Sequence, residues 1–238
     1  MFLLNAATAL LVLLAPYASA DGVASAQGKR RRAKPVSRQK QKTPPPPGDT
    51  YLGNEEKEAL EREMEELYSR VLAENSVPET SPDLIRALGH NFSIVKIASA
   101  HLLGKRGERG AVPALRRLLA DADPEVKIKA ADVLLRLGDA SGLRVLAEEA
   151  KNRDARIRLS AVATGARFAA NAASRPQAVA LLVAALRDED KDVRGAAAFG
   201  LGEAGDRSAV PELQRALTAE TDEMVRLVIE QQLRKLGQ

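Results

Sequence analysis

The stretch Asp121-Ala-Asp-Pro-Glu-Val-Lys-Ile-Lys-Ala-Ala-Asp-Val-Leu-Leu-Arg-Leu-Gly138 decides the fold, because it encodes one complete amphipathic helix. Asp123 is a residue type that caps helices, and Pro124 follows at the first helical position, where its missing N–H costs nothing. Apolar residues then recur with helical spacing and form one stripe: Val126, Ala130, Val133, Leu134 and Leu137. Gly138 ends the helix, since glycine adopts the left-handed conformation of a C-cap without strain.

The same pattern occurs five times along the chain. The apolar anchors that correspond to Val126 are separated by 31, 31, 36 and 32 residues: Val95, Val126, Ile157, Val193 and Val225. A basic residue directly follows each anchor: Lys96, Lys127, Arg158, Arg194 and Arg226. Four of the five anchors have an aspartate three residues before them, and four have a glycine twelve residues after them. Five copies in one register indicate a repeat protein.

A second, shorter apolar segment precedes each of these helices, most clearly at residues 112–119, 209–217 and 81–88. Each repeat is therefore predicted to be a helix–turn–helix unit. A lone helix pair cannot bury both of its apolar stripes, so neighbouring units must stack to form the core. The sequence predicts an all-α protein whose residues 79–238 form an α-solenoid of about five repeats.

These residues resemble the HEAT-repeat family, and most closely its shorter HEAT-like subgroup, typified by phycobilisome lyase-type repeats. The motif P-x-L-x-x-L-L-x-D-x-D-x-x-V-R/K-x-x-A-A-x-x-L-x-x-x-G is complete from Pro113 to Gly138 and nearly complete from Leu186 to Ala197. The resemblance implies that the second helix of each repeat lines the concave side. It implies little about function, since such solenoids serve many unrelated roles.

Residues 1–20 form an apolar segment that ends in Ala18-Ser-Ala20, a small-residue cleavage pattern. We expect a signal peptide, since the run is short for a membrane-spanning helix. The usual positive n-region is missing apart from the α-amino group. An uncleaved N-terminal membrane anchor is the alternative. Either interpretation predicts an exported protein, periplasmic or secreted.

Residues 21–50 carry eight basic residues against two acidic ones, and they contain four consecutive prolines at 44–47. Without apolar periodicity, this composition predicts a disordered linker. One interpretation is a spacer that holds the solenoid away from a membrane. The other is attachment to an anionic surface, such as lipid phosphates or nucleic acid, through the basic run: Lys29, Arg30, Arg31 and Arg32.

Residues 54–76 are predicted to form an acidic helix, with eight acidic residues against three basic ones. Its apolar seam has the spacing four, three, four: Leu60, Met64, Leu67 and Val71. This seam is too short for an independent coiled coil. We expect the helix to cap the first repeat, because terminal repeats of a solenoid need a polar cover.

The position five residues before each anchor is polar in every repeat: His90, Asp121, Asn152, Asp188 and Glu220. In HEAT-like arrays this position commonly pairs with the basic residue just past the anchor of a neighbouring repeat. The resemblance therefore implies a structural ladder from Asp121, Asp188 and Glu220 to Lys127, Arg158, Arg194 and Arg226. Asn152 and His90 depart from the pattern, so we expect interruptions there.

The sequence gives little support to a catalytic or metal-binding function. The chain has no cysteine, and its two histidines, His90 and His101, lie eleven residues apart without an adjacent glutamate. HEAT-like deoxyhypusine hydroxylases carry repeated His-Glu pairs for iron, and none occurs here. No residue has the local pattern of an activated nucleophile. We predict no catalytic residue, no metal, no cofactor and no small-molecule substrate.

The wider spacing between Ile157 and Val193 adds about five residues, which fall in the stretch Arg167–Pro176. Insertions in repeat proteins map to loops that often carry binding. The candidate partner contacts are therefore Arg167, Phe168 and Arg175. The alternative is a longer helix with no role in binding.

The sequence favours an exported, non-enzymatic scaffold or adaptor that binds another protein along its curved helical face. Exposed residues between the ladder positions, such as Lys129, would vary that surface. One alternative is a binder of envelope polyanions or nucleic acid that acts through the basic tail. Another is a lyase or accessory factor like the bilin lyases, which the absence of cysteine and tryptophan and the predicted export disfavour.

Overall fold

The computed structural model describes residues 54–237, with side chains from Glu58 onward, and this part of the chain forms eleven α-helices. They are α1 Asn54–Glu74, α2 Ser81–Ala87, α3 Ser93–Lys105, α4 Val112–Leu118, α5 Pro124–Arg136, α6 Gly142–Glu149, α7 Ala155–Phe168, α8 Arg175–Ala185, α9 Lys191–Ala204, α10 Val210–Ala219 and α11 Glu223–Gly237. Short 3₁₀ turns precede α4 and α10 at Arg109–Ala111 and Arg207–Ala209. The predicted signal peptide 1–20 and linker 21–50 lie outside the described residues.

After α1 the helices form five pairs, so the predicted all-α solenoid is confirmed. The first helices of the repeats are α2, α4, α6, α8 and α10, and the second helices are α3, α5, α7, α9 and α11. Each second helix packs against the first helix of its own repeat and against the second helices of its neighbours. No helix within residues 54–237 is long and apolar enough to span a bilayer.

The start and stop signals of the second helices act as the sequence predicts. Asp123 caps α5 by accepting a hydrogen bond from the N–H of Glu125 at 2.9 Å. The aspartates that precede α7, α9 and α11 accept the equivalent bonds. The exception, Phe92, starts α3 without a side-chain cap. Three of the predicted glycines adopt the left-handed conformation at helix ends, with φ of +68°, +84° and +65°: Gly107, Gly138 and Gly205.

The five anchors are buried in a core that extends the length of the array. Helix α5 divides this core, because it faces neighbours on two sides. Its residues Val126, Ala130, Val133 and Leu134 pack toward α1–α4. Its residues Ile128, Ala131 and Leu135 pack toward the C-terminal repeats. Each second helix is thus shared between two layers, as stacking requires.

Small residues bring the second helices close together. A Cβ on Gly104 of α3 would lie 2.9 Å from Val133 of α5, and a Cβ on Gly200 of α9 would lie 2.5 Å from the Cβ of Ala166 in α7. The first helices approach one another much less closely. Because the tighter spacing is on the side of the second helices, that side is the inner, concave one.

One step of the array is irregular. Helix α6 packs against α5 as well as α7, and a Cβ on Gly142 of α6 would lie 2.7 Å from the Cα of Ala131 in α5. Helix α8 packs against α7 as well as α9 in the same way, and α7 and α9 stay close, whereas α5 and α7 approach each other less closely than the other neighbouring second helices do. The regular stacking is therefore loosened in the middle of the solenoid.

The wide spacing between Ile157 and Val193 is taken up mainly by helix. Helix α8 has 11 residues where α6 has 8, and α7 has 14 where α5 has 13. The connection after α7 runs from 169 to 174, the same length as the connection 106–111 after α3. This arrangement matches the alternative of a longer helix and not a protruding loop.

Helix α1 covers the first repeat, with Met64, Tyr68 and Leu72 buried among residues of α2, α3 and α4. The predicted seam is rotated: of its four members only Met64 is buried, and Leu60, Leu67 and Val71 are half-buried. The buried stripe runs through Met64, Tyr68 and Leu72 and shares only Met64 with the predicted seam.

The close approach of α7 and α9 yields a first prediction. We expect Gly200→Ala to lower the free energy of unfolding by about 1–3 kcal/mol, because the added methyl group would overlap Ala166, whose Cβ moves only with its backbone. Urea denaturation followed by circular dichroism measures the change. The control is Gly110→Ala, where an added Cβ meets nothing within 4 Å. Equal stabilities of the two variants would contradict this packing.

Candidate partner-binding face

The polar residues five positions before the anchors share one role in the turns. Each accepts a hydrogen bond from the backbone N–H two residues later, at 2.9–3.1 Å: His90, Asp121, Asn152, Asp188 and Glu220. Side chains of four types thus stabilise the same turn geometry. The two residues that depart from the acidic pattern keep this local role.

Three of these side chains also bind a basic residue of the preceding repeat. Arg158 donates two hydrogen bonds of 2.9 Å to the carboxylate of Asp188, and the ammonium group of Lys96 donates one of 2.7 Å to Asp121. Arg194 holds Glu220 in the same two-pronged way, at 2.7 and 2.8 Å. Lys96, which the ladder implied by the resemblance did not include, is therefore one of its partners.

Two of the implied ladder residues have other partners. Lys127 pairs with Glu149 of α6, because Asn152 carries no charge and its amide donates to the same carboxylate at 3.0 Å. Arg226 instead donates to the carbonyl groups of Leu217 and Glu220, at 3.1 and 3.2 Å. No repeat follows α11 within residues 54–237 to supply a carboxylate. The acid Glu149, three residues before Asn152, was missed by the sequence analysis.

The ladder arginines also bind their own turns. The Nη1 atoms of Arg158 and Arg194 donate to the carbonyls of Asn152 and Asp188, each at 3.0 Å. A guanidinium can serve both sides because its donors form a fixed fork. The separate bonds that Nε and Nη2 of Arg194 donate to the carboxylate of Glu220 lower its pKa to about 2. The ladder therefore ties neighbouring repeats together at one edge, with its donors and acceptors already paired.

All three candidate partner contacts are engaged within the fold, and Nη2 of Arg167 donates to Oγ1 of Thr164 at 3.2 Å. Phe168 is half-buried against the core, and Arg175 donates to the carbonyls of Ala169 and Ala170 at the end of α7. Arg167 keeps 44% of its side chain exposed. Arg167 is thus the member that remains a candidate for contact with a partner.

Arg167 belongs to a cluster on the concave face, centred on Asp132 of α5. Asp132 is 5% exposed and lies 3.1 Å from Arg167 and 3.3 Å from Arg136. Burial alone would raise the pKa of Asp132, but the charges of Arg167, Lys129 and Arg136 outweigh it, so the pKa is lowered. Asp132 is therefore a buried carboxylate that holds two arginines in place.

Lys129 and His101 complete this cluster. Burial and the neighbouring arginines lower the pKa of Lys129, whereas Asp132 opposes this shift. Burial, together with Lys129 and Arg136, lowers the pKa of His101 to about 4. The His101 ring lies 4.9 Å from the ring of Tyr68, which joins α1 to the same face. His101 is therefore a neutral, packed histidine at physiological pH.

Lys129, which was expected to be exposed, is half-buried. The sequence pattern did not connect Lys129 and Arg167 to Asp132 and Arg136. The signal was available in the repeat register. Asp132 lies six positions after its anchor, and Arg136 and Arg167 lie ten positions after theirs. Within residues 58–237, no three histidine, aspartate or glutamate side chains are grouped to hold a metal ion.

The family model for HEAT repeats matches residues 81–166 and 165–234, more than half of the chain. The chain belongs to the HEAT-repeat family. No curated protein sequence matches it significantly.

Several solved structures share the fold of this HEAT-repeat chain. One is the complex of CpcE and CpcF of phycocyanin lyase from Nostoc sp. PCC7120, with 21% identity and a TM-score of 0.50 over 64% of this chain and 96% of that chain. YibA of E. coli matches with 22% identity and a TM-score of 0.51 over 71% and 61% of the respective chains. A designed armadillo repeat protein in complex with the peptide (KR)4 matches with 20% identity and a TM-score of 0.50 over 80% and 96%. At these identities the similarity shows the solenoid fold alone.

The ladder yields a second prediction. We expect Glu220→Gln to lower the free energy of unfolding by about 2–3 kcal/mol at pH 7, because Arg194 loses its counter-charge while the turn keeps an acceptor oxygen. Side-chain exposures of 3% for Glu220 and 17% for Arg194 support this size. Urea denaturation measures the loss, and hydrogen exchange should rise first in residues 210–237.

The matched control is Glu148→Gln, which breaks the exposed pair of Arg144 and Glu148. Such a surface pair contributes less than about 1 kcal/mol. A Glu220→Gln variant as stable as this control would contradict the role of the ladder.

His101 yields a third prediction, on pH dependence. Its pKa is about 4 in the folded protein and 6.5 as the ordinary value. The unfolded chain therefore binds the proton more readily, so His101 reduces stability as the pH falls from 6.5 toward 4. Between pH 7 and pH 5 we expect a loss of about 1–2 kcal/mol that is absent in His101→Phe, which keeps an aromatic ring beside Tyr68. Urea denaturation at both pH values measures it; parallel losses in the two proteins would refute it.

Proposed function

We propose that this chain is an exported, non-enzymatic adaptor that binds another protein along its concave face. A solenoid presents one helix of every repeat on that face, so contacts can be spread over several repeats. The HEAT-repeat fold is consistent with a protein-interaction role in general. The adaptor role and the export are specific parts of this proposal.

The observation that carries the proposal is a continuous row of side chains on the second helices. The position ten residues after each anchor is charged and exposed in all five repeats: Lys105, Arg136, Arg167, Glu203 and Lys235. Ladder side chains, by contrast, are half-buried or buried and bonded to one another along the other edge. The row is therefore more exposed to a partner than the ladder is, although its side chains also form ion pairs.

The N-terminal sequence supports the proposed location. Residues 1–20 combine an apolar run with an Ala-x-Ala ending, as signal peptides do. The basic, proline-rich residues 21–50 would then separate the solenoid from the membrane. The absence of cysteine and of His-Glu pairs is consistent with a binding role and gives no support to an enzymatic one.

A cross-linked capture experiment from the native cell envelope tests this proposal. The baits are residues 21–238 and residues 51–238, each used at low and at moderate salt. We expect both baits to capture the same protein at both salt concentrations, because the contact is made by the solenoid.

Capture that disappears with residues 21–50, or with added salt, would contradict the adaptor proposal. Binding through the basic tail would be steeply salt-dependent, because each neutralised phosphate releases counterions. That result would favour an anionic surface as the partner of the tail.

A further inference from the structure

We propose that the concave face at the irregular step between α5 and α7 is a binding site for a carboxylate group of an acidic segment of the partner protein. The site is formed by Lys129, Arg136 and Arg167, with Asp132 as the positioning residue. This inference rests on the proposed adaptor function and names the chemistry of the partner.

The irregular step gives the site its space. Elsewhere, glycine and alanine close the contact between neighbouring second helices, as at Gly104 with Val133 and Ala166 with Gly200. Between α5 and α7 the second helices approach each other less closely. Arg167 of α7 spans this gap to reach Asp132 of α5 at 3.1 Å.

The site carries excess positive charge. Three cations surround one carboxylate, and that carboxylate is 5% exposed and thus turned into the protein. The side chains of Arg136 and Arg167 are 49% and 44% exposed, respectively. Both guanidinium groups lie within ion-pair distance of Asp132, and Nη2 of Arg167 also donates to Oγ1 of Thr164 at 3.2 Å. Fixed guanidinium donors bind carboxylates with two parallel hydrogen bonds.

Lys129 is the observation that points most directly to a ligand. It is half-buried, yet it makes no hydrogen bond or ion pair with any residue from 58 to 237. Asp132, the acid whose charge acts on Lys129, also lies within ion-pair distance of two arginines. A half-buried cation that shares one carboxylate with two other cations is only partly compensated, and an incoming anion would reduce that penalty.

The surroundings favour an acidic protein segment as the source of the anion. Along the same row, Lys105 and Lys235 are paired with Glu65 and Glu203 of neighbouring helices, so the excess charge is confined to the middle. A local site of this kind suits one or two carboxylates. Nucleic acid would require a longer basic track.

A binding assay on the full chain tests the site. The probe is a fluorescein-labelled peptide of alternating glutamate and serine, read by fluorescence anisotropy, with a glutamine–serine peptide as the neutral control. All proteins carry Lys29→Gln, Arg30→Gln, Arg31→Gln and Arg32→Gln, so that the basic run of the tail does not dominate binding. Lys129→Met and Arg136→Gln are compared with Lys151→Met, which alters an exposed lysine in the turn after α6.

We expect Lys129→Met and Arg136→Gln each to weaken binding of the acidic peptide about tenfold or more, and Lys151→Met to stay within about twofold. Lys129→Met should also raise the urea midpoint, because it removes a half-buried charge that is only partly compensated. If Lys129 only stabilised the fold, the Lys129→Met substitution would instead lower the urea midpoint. Equal affinities of all variants, equal affinity for the neutral peptide, or no binding by the parent protein would overturn the proposal.

The envelope capture experiment separates this inference from the adaptor function. A partner that is captured equally by full-chain baits with and without Lys129→Met would remove the carboxylate site and leave the adaptor function standing. If no bait captures a partner, the adaptor function itself fails.

Discussion

The structure depends on the close stacking of the second helices. No repeat can bury its apolar stripes alone, so each second helix must face two neighbours at once. Small residues such as Gly104, Ala166 and Gly200 make that approach close enough for the core to become continuous. The curvature of the array and the existence of a concave face both follow from this constraint.

The ladder and the stacking act on different edges of the same repeats. The apolar contacts between stacked helices are non-directional. Arg158 and Arg194 each donate two hydrogen bonds to a carboxylate of the next repeat and so fix how neighbouring repeats align. The bonds that Arg194 donates to Glu220 lower the pKa of that carboxyl group, so they stabilise the fold while it is ionised. The pKa of about 2 for Glu220, against 4.5 ordinarily, means that its contribution is lost only as the pH falls below about 4.5 toward 2.

Local signals in the sequence predicted most of the fold. The sequence predicted the apolar anchors, the aspartate caps and three of the glycines that end helices, because each of these features depends on one helix alone. The side-chain pairs between repeats could not be predicted, because they depend on distances that the sequence does not give. Glu149 supplies the carboxylate that Asn152 lacks, and Arg167 of α7 meets Asp132 of the preceding repeat. The sequence left open whether the extra residues before Val193 form a loop or a longer helix, and helix α8 takes up most of them.

The central claim is that partners bind the concave face, and site-specific photocross-linking tests it most directly. A photoreactive residue, p-benzoylphenylalanine, would replace Ala163, which is half-buried on the second helix α7 six positions after its anchor. A matched protein would carry it in place of Arg144, whose side chain is 84% exposed on the first helix α6. After illumination in the native envelope, the account predicts a discrete cross-linked product from position 163 and none from position 144. A product from position 144 alone would contradict it.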